Sequence, residues 1–270
     1  MPGTYQPPLR SVYTQLLTTY LQSVTQDATI TVAEQDAIWR LIRQEIVQEQ
    51  FSIAINVLEE RVIRCYGLSR WLGHHESAFS NRDYNEIVHP THAVVQDLHS
   101  LALLELLLLN RIRPVFMQPV CISLVALRQQ SGRYLYCKRV CFPFQLTTDK
   151  KITEYLCHFT IIKEFNQENY HARLLAPFAP ADRLHDSYRS LVKKRFLEQV
   201  NFSTQEWRIL KRYARQQETT RKMIGSSFKI KESTVNTFNK RILKKAEQFS
   251  QKKFSTAKAA AGYFSEMGFV

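Results

Sequence analysis

The chain has little glycine and little proline, seven and nine in 270 residues, which excludes collagen-like, low-complexity and long disordered architectures. It has no G-x-x-x-x-G-K and no G-x-G-x-x-G stretch, so the common phosphate-cradling loops are missing. No nucleophile elbow, H-E-x-x-H or paired-acid arrangement occurs either. The adjacent Cys157 and His158 fall in an expected strand, which sends neighbours to opposite faces, so no catalytic residues and no enzymatic activity are expected. The longest apolar run, Leu101 to Leu109, is interrupted by Glu105 and bounded by Asn110 and Arg111. It is far shorter than the roughly 20 residues of a bilayer span, and no membrane partner is expected. Met1 to Pro8 is polar and proline-rich, without the charged-then-apolar pattern of a secretion signal. The five cysteines (Cys65, Cys121, Cys137, Cys141 and Cys157) contain no C-x-x-C pair, and only Cys137 and Cys141 have ligand-like spacing. All five fall in expected strands, where small buried thiols in a reducing cytoplasm are favoured over metal or disulfide chemistry.

The last seventy residues also lack aspartate. Asn201 to Val270 carry ten Lys, five Arg and five Glu, a net charge of +10 out of +13 for the chain. The other two hundred residues are nearly neutral. Positive charge confined to one small segment suits a polyanion, because each neutralised phosphate releases condensed counterions. A Lys-rich helix is also how an ordinary solvated face reads, so the arrangement matters more than the count.

Four helical patterns fill this segment. The first starts at Ser203 or Thr204 with Glu206 behind it, and buries Trp207, Leu210 and Ala214 or the neighbouring Ile209 and Tyr213. The second runs from about Thr220 to Phe228. The third, about Glu232 to Gln248, has Val235, Phe238, Ile242, Leu243 and Ala246 on one stripe and Ser233, Asn236, Thr237, Lys240, Arg241 and Lys244 opposite. An oily back behind a face of amides, hydroxyls and cations can enter a major groove while the back holds a core. The fourth, about Thr256 to Met267, is small and apolar on one side.

Phe202-Ser203-Thr204-Gln205-Glu206 with Ile209-Leu210, then Ile224, Ile230, Thr234-Val235, Ile242-Leu243-Lys244-Lys245 and Met267-Gly268-Phe269, resembles a LuxR-type (NarL/FixJ-like) helix-turn-helix domain over 202 to 270. Several positions depart from that pattern. The loop at Gln216 to Thr219 is about two residues longer, Gly225 replaces the usual Ala, and Lys229 replaces the usual turn Gly. Asn236 and Phe238 replace the usual Lys and His. Carried over position by position, the resemblance implies that Asn236, Thr237 and Lys240 read base edges, and that Thr220, Lys222, Ser233, Lys244 and Lys245 contact phosphates. It also implies pairing through the last helix, making Ala257, Ala260, Ala261 and Phe264 a dimer face; burial within the same chain is the other reading of those four.

The rest of the chain has a different texture. Leu9 to Leu21 and Val32 to Val47, the latter with Ile38, Leu41, Ile42 and Ile46 on one side, are expected helices. Phe51 to Leu58 and Val62 to Cys65 read as a hairpin. Small helices, a longer helix over Ala93 to Leu109, and strands over Pro119 to Arg128, Arg133 to Leu146 and Ile152 to Phe165 complete the series. Leu174 to Asp182, with Pro177 and Pro180, is a breaker-rich joint. Leu184 to Val200 is then an amphipathic helix. Its Leu184, Tyr188, Leu191 and Arg195 follow heptad spacing, read either as a short coiled-coil lever or as a helix packed on its own domain.

This element order, with Trp71-Leu72-Gly73, Ile87-Val88-His89-Pro90, Leu127-Arg128, Ser131-Gly132-Arg133-Tyr134 and Phe142-Pro143-Phe144, resembles a PAS domain over about 50 to 166. The expectation is thus an α+β chain: an N-terminal helical segment over 1–49, a PAS-like sensor over 50–166, a linker and connecting helix over 167–200, and a helix-turn-helix domain over 201–270. No cofactor is expected. Haem ligation by one of His74, His75, His89 and His92 is disfavoured against polar connecting loops, and Cys65 lacks the helical Asn-Cys-Arg-type motif of a flavin photoadduct. The implied function is a cytoplasmic, homodimeric transcription regulator binding double-stranded DNA, with a small-molecule or protein signal at the PAS-like domain. The alternative is a PAS-based interaction or signalling adaptor whose basic helices bind an acidic protein.

Overall fold

Strand β1 (Gln50–Asn56) is buried along almost all its length, so its sheet must be covered on both faces rather than one. The computed structural model describes residues 8–25, 27–45, 49–175, 181–216 and 218–270, with side chains described throughout except at 8–11, 13, 181 and 182. Pro177 and Pro180 of the expected joint, Ile46 and Val47, and the polar segment before Pro8 lie outside the described residues.

The class is α+β. Six strands, β1, β2 (Arg61–Tyr66), β3 (Cys121–Arg128), β4 (Tyr134–Leu146), β5 (Ile152–Glu164) and β6 (His171–Leu174), form one antiparallel sheet in the order β2-β1-β5-β4-β3-β6. The two expected strands, the long helix and the three later strands are all found. The long helix starts slightly early, at Pro90, with the His89 side chain accepting from the Thr91 N–H. The edge strand β6 was not foreseen in the sequence.

Helix α1 (Pro8–Gln22) and helix α2 (Val32–Glu45) belong with the sheet. On α2, Trp39 packs with Ala54, Phe144 and Leu156 on one sheet face, and the Gln35 amide donates to the Phe144 carbonyl at 2.9 Å. On α1, Leu17 and Tyr20 pack with Leu104, and the Ile152 N–H donates to the Tyr20 hydroxyl at 2.6 Å. The opposite sheet face carries Phe51, Phe159 and Arg139. It meets residues of α4 (Asn81–Ile87) and α5 (Pro90–Leu108), which follow the single-turn α3 (Leu68–Trp71): Tyr84 reaches Phe159 and Arg139, and Gln96 reaches Arg139.

The chain divides into two compact units, Ser11–Tyr188 being one and Arg189–Val270 the bulk of the other, with the division inside α6 (Ala181–Val200). The heptad reading of α6 does not hold. Its buried positions are Leu184, Tyr188, Val192, Phe196 and Val200, spaced by fours, while Leu191 and Arg195 are only partly covered. A spacing of four drifts round the helix and suits packing on a domain, not a straight two-helix seam. In the second unit, Phe196 stacks on Phe269 at 4.3 Å between ring centroids and meets Phe249 and Phe264 edge-on. This aromatic cluster joins α6 to α9 (Glu232–Ser250) and α10 (Ala257–Glu266), over which α7 (Thr204–Arg215) and α8 (Arg221–Phe228) complete the unit. Among the described residues, no helix is long and apolar enough to cross a membrane.

Candidate nucleic-acid interface

Helix α7 opens with a reciprocal cap. The Ser203 side chain accepts from the Glu206 N–H, and the Glu206 carboxylate accepts from the Ser203 N–H at 2.8 Å. Ile209, Leu210 and Tyr213 are buried, so of the two candidate stripes the second is the inner one, with Leu210 shared. Lys245 of α9 donates to both Glu206 Oε2 and the Asn201 carbonyl, each at 2.7 Å. Glu206 is only 2% exposed. Burial alone would raise its pKa; the hydrogen bonds from Lys245 and Ser203, with the ammonium charge, outweigh that and hold the carboxyl below its ordinary value. Lys245, expected on phosphate, is therefore an internal brace between α7 and α9, its ammonium already committed.

Helix α8 starts at Thr220, whose hydroxyl accepts from the Met223 N–H at 3.3 Å. Its far end turns sharply. Lys229 adopts left-handed dihedrals of φ 53° and ψ 43°, and both its own N–H and that of Ile230 return to the Gly225 carbonyl. A Cβ built on Gly225 would lie 2.9 Å from the Ile230 carbonyl oxygen. The missing side chain at 225 thus permits a close crossing, while 229, where glycine is the usual solution, carries a Cβ in left-handed space.

Helix α9 leaves this turn with Val235, Ile242 and Ala246 buried and Phe238 and Leu243 partly so. Asn236, Thr237 and Lys240 all lie on its exposed side, as do Ser233 and Lys244; Thr220 and Lys222 are exposed on the neighbouring helix. Thr237 donates its hydroxyl to the Ser233 carbonyl at 3.2 Å, a bond it can release. Arg221 was overlooked in the sequence. Its guanidinium donates to the Asn236 side-chain oxygen at a long 3.5 Å, placing a further cation beside the amide. Lys229 and Lys231, in the turn, and Arg241 are exposed as well. From 221 to 244 the single acid is Glu232. The result is one exposed surface with an amide and a hydroxyl at its centre and cations around it.

Ala257, Ala260, Ala261 and Phe264 do not form a free face. Their exposures are 3%, 0%, 0% and 0%, and their helix packs on α7 and α9 of the same chain. A dimer interface there would require opening the core, so the expectation is corrected: these side chains close the monomer's own unit.

In the sheet unit, three of the four histidines singled out by sequence, His74, His89 and His92, are engaged in packing, and His75 is exposed. His92 accepts from the Ala126 N–H at 3.0 Å and donates to the Glu168 carbonyl at 2.8 Å, leaving neither ring nitrogen free. Burial pushes it down to about 4, so the ring is neutral at ordinary pH. His89 caps α5, and His74 lies against Phe79. Among the described residues no group of three or more His, Cys, Asp or Glu side chains could hold a metal.

No protein-family model matches the sequence. No curated protein matches it either. Among solved structures, the N-terminal domain of a diguanylate cyclase with a PAS/PAC sensor from Marinobacter aquaeolei is similar at 10% identity, covering 42% of this chain and 95% of that one with a TM-score of 0.31. A phage VqmA–DPO complex is similar at 14% identity over 87% of this chain and 92% of that one, with a TM-score of 0.28. Both scores lie below 0.5.

Proposed function

We propose that the chain is a DNA-binding transcription regulator: a PAS-like unit receives a signal or mediates dimerisation, and a LuxR-type helix-turn-helix formed by α8 and α9 reads the major groove. The observation that carries this reading is the two-sidedness of α9. Val235, Ile242 and Ala246 anchor it, while Asn236, Thr237 and Lys240 face outward within a cationic surround. In the groove Asn236 would pair with adenine, Lys240 would donate to guanine O6 or N7, and Thr237 would place its hydroxyl or methyl on a neighbouring base. Thr220, Lys222, Ser233 and Lys244, joined by Arg221, would set the register on phosphates.

Two copies on half-sites about one helical turn apart fit this mode of binding. Their contact surface would lie somewhere other than the buried side of α10. An electrophoretic titration with duplex DNA at several salt concentrations tests the reading. The three cations placed on phosphates, Lys222, Lys244 and Arg221, give a log–log salt slope of roughly −3 per copy. A flat response would remove the phosphate contacts, and with them this function.

A further inference from the structure

Inside the sheet unit, three cysteines stand in one row across neighbouring strands: Cys121 faces Cys141, and Cys141 faces Cys157. Directly opposed residues point to the same side of a sheet, here the side that meets α4 and α5. Only one pair is in sulfur contact. Cys141 Sγ and Cys157 Sγ are 3.3 Å apart, while the other thiols turn to carbonyls: Cys65 to Glu76, Cys121 to Ile122 and Cys137 to Leu135. Facing residues on antiparallel strands have Cα atoms about 4.5–5.5 Å apart, inside the range a disulfide spans.

Two residues from Cys141 on the same face lies Arg139, 7% exposed. Its guanidinium donates to Tyr84 Oη at 2.6 Å, Ser123 Oγ at 2.9 Å, Gln96 Oε1 at 3.0 Å and Tyr170 Oη at 3.3 Å. All four are neutral, and among the described residues no carboxylate pairs with it. A buried cation without a counter-charge costs several kcal/mol, so the site favours any neighbour able to become an anion. The tyrosines around it, Tyr84 and Tyr170, are pushed up by burial, out of contention. Cys141 moves the other way: the hydrogen bond from Cys157 lowers its pKa, burial opposes this, and the Arg139 charge lowers it further.

We infer that Cys141 and Cys157 are a dithiol oxidised by hydroperoxides to a disulfide across β4 and β5, with Arg139 holding the reactive thiolate. The Cys141 thiol gives up its proton and the thiolate attacks one oxygen of hydrogen peroxide; the O–O bond breaks, and the departing hydroxide takes up that released proton to become water. The Cys157 sulfur then attacks the Cys141 sulfenic acid, the S–O bond breaks, and the leaving hydroxide takes the Cys157 proton as a second water. The two thiols lose two electrons in all, and the peroxide gains them. Cys141 keeps only a partial exposure, so the oxidant has to be small and neutral, as hydrogen peroxide is. Closing the bond removes the thiolate beside Arg139, whose partners Tyr84 and Gln96 lie on α4 and α5. Oxidation is thereby felt by both helices over the sheet.

The inference is independent of DNA binding and is tested without it. The reduced full-length chain is exposed to hydrogen peroxide, then denatured and alkylated, and its peptides are mapped by mass. Of five free thiols, two should be lost to alkylation and recovered with dithiothreitol, and the cross-linked peptides should join Cys141 to Cys157. Cys157→Ser should stop the reaction at a sulfenic acid on Cys141 that dimedone traps, and Cys121→Ser should leave the cross-link unchanged. Five thiols still alkylated after peroxide, a bond between any other pair, or over-oxidised Cys141 without a cross-link would each overturn it. The wild-type map decides the matter even if a variant fails to fold.

Discussion

The two units hold their cations in opposite ways. Around α8 and α9, Arg221, Lys222, Lys240 and Lys244 stand in water, close to one another and nearly free of acids. In the sheet unit, Arg139 is sealed among hydroxyls and an amide. A surface cation keeps its hydration, so the fold hardly registers its presence and its consequences fall on whatever docks there. A buried one is held by oriented partners, and its consequences fall on the fold and on the protonation of its neighbours. The same residue class thus marks an outward cationic surface in one unit and an internal charge centre in the other.

The largest effect that should separate the two is a deletion. Arg139→Leu strips the donor from Tyr84, Gln96, Ser123 and Tyr170 at once; those four unmet groups outweigh the desolvation relieved with the cation, and the net cost in urea unfolding of the sheet unit should be about 3 kcal/mol. Lys240→Ala should stay within about 0.5 kcal/mol of the parent. Equal costs at both sites would break the contrast.

Acid should separate the units next. Burial first of all lowers His92 to about 4 and His99 to about 3, and the last seventy residues contain no histidine. In both cases the unfolded chain takes up the proton first. Their contribution is therefore complete above the unfolded value of about 6.5 and is lost progressively as pH falls from there toward the folded values. For His92 alone the loss is on the order of 2 kcal/mol at pH 5, with His99 acting in the same direction. Amide-exchange protection factors should fall in sheet peptides between pH 7 and pH 5 while those from α7 to α9 hold. Uniform loss, or none, would show that burial of these rings does not govern acid sensitivity.

A third experiment concerns the outer surface alone. Asn236→Ala and Lys240→Ala should each reduce discrimination between a preferred and a random duplex by about 1–3 kcal/mol, with little change in thermal stability. An unchanged preference would point instead to contacts that bind DNA without reading it, or to an acidic protein as the partner.

What sequence revealed and what it hid divides along the same line. The faces of α9 were legible because helix periodicity is local: four residues suffice to place Asn236 and Lys240 on one side and Ile242 on the other. The strand series was legible because turns such as Ser131-Gly132 punctuate it, Gly132 taking a φ of 87°. Arg139 was not legible, since its surroundings come from β3, β4, α4, α5 and Tyr170, brought together only by register. Nor was the Cys141–Cys157 contact, between residues sixteen apart that meet only through strand pairing. The small residues of α10 misled for a related reason. A stripe of Ala257, Ala260 and Ala261 looks the same whether it receives a partner or its own chain, and here α7 and α9 cover it. Lys245 likewise read as one more surface lysine until Glu206 and Asn201 arrived beside it. The strand β6, four residues without alternation, was too short to announce itself.

The smallest effect lies at the turn between α8 and α9, where a cation and a backbone constraint coincide. Lys229 carries its side chain in left-handed space, where a Cβ costs about 1 kcal/mol that glycine avoids. Lys229→Gly should therefore raise stability only slightly, by up to about 0.5 kcal/mol, once glycine's greater freedom in the unfolded chain is set against the relief. Gly225→Ala should act oppositely, because its new Cβ would meet the Ile230 carbonyl oxygen at 2.9 Å, a backbone atom that cannot swing aside. The first substitution also removes an exposed charge. If Lys229 contacts a phosphate, the salt slope for DNA should shrink by about one unit even as the fold becomes more stable. If it is only a turn residue, stability rises and the slope stays. A less stable Lys229→Gly would contradict the left-handed turn itself, and with it the crossing that sets α9 against α8.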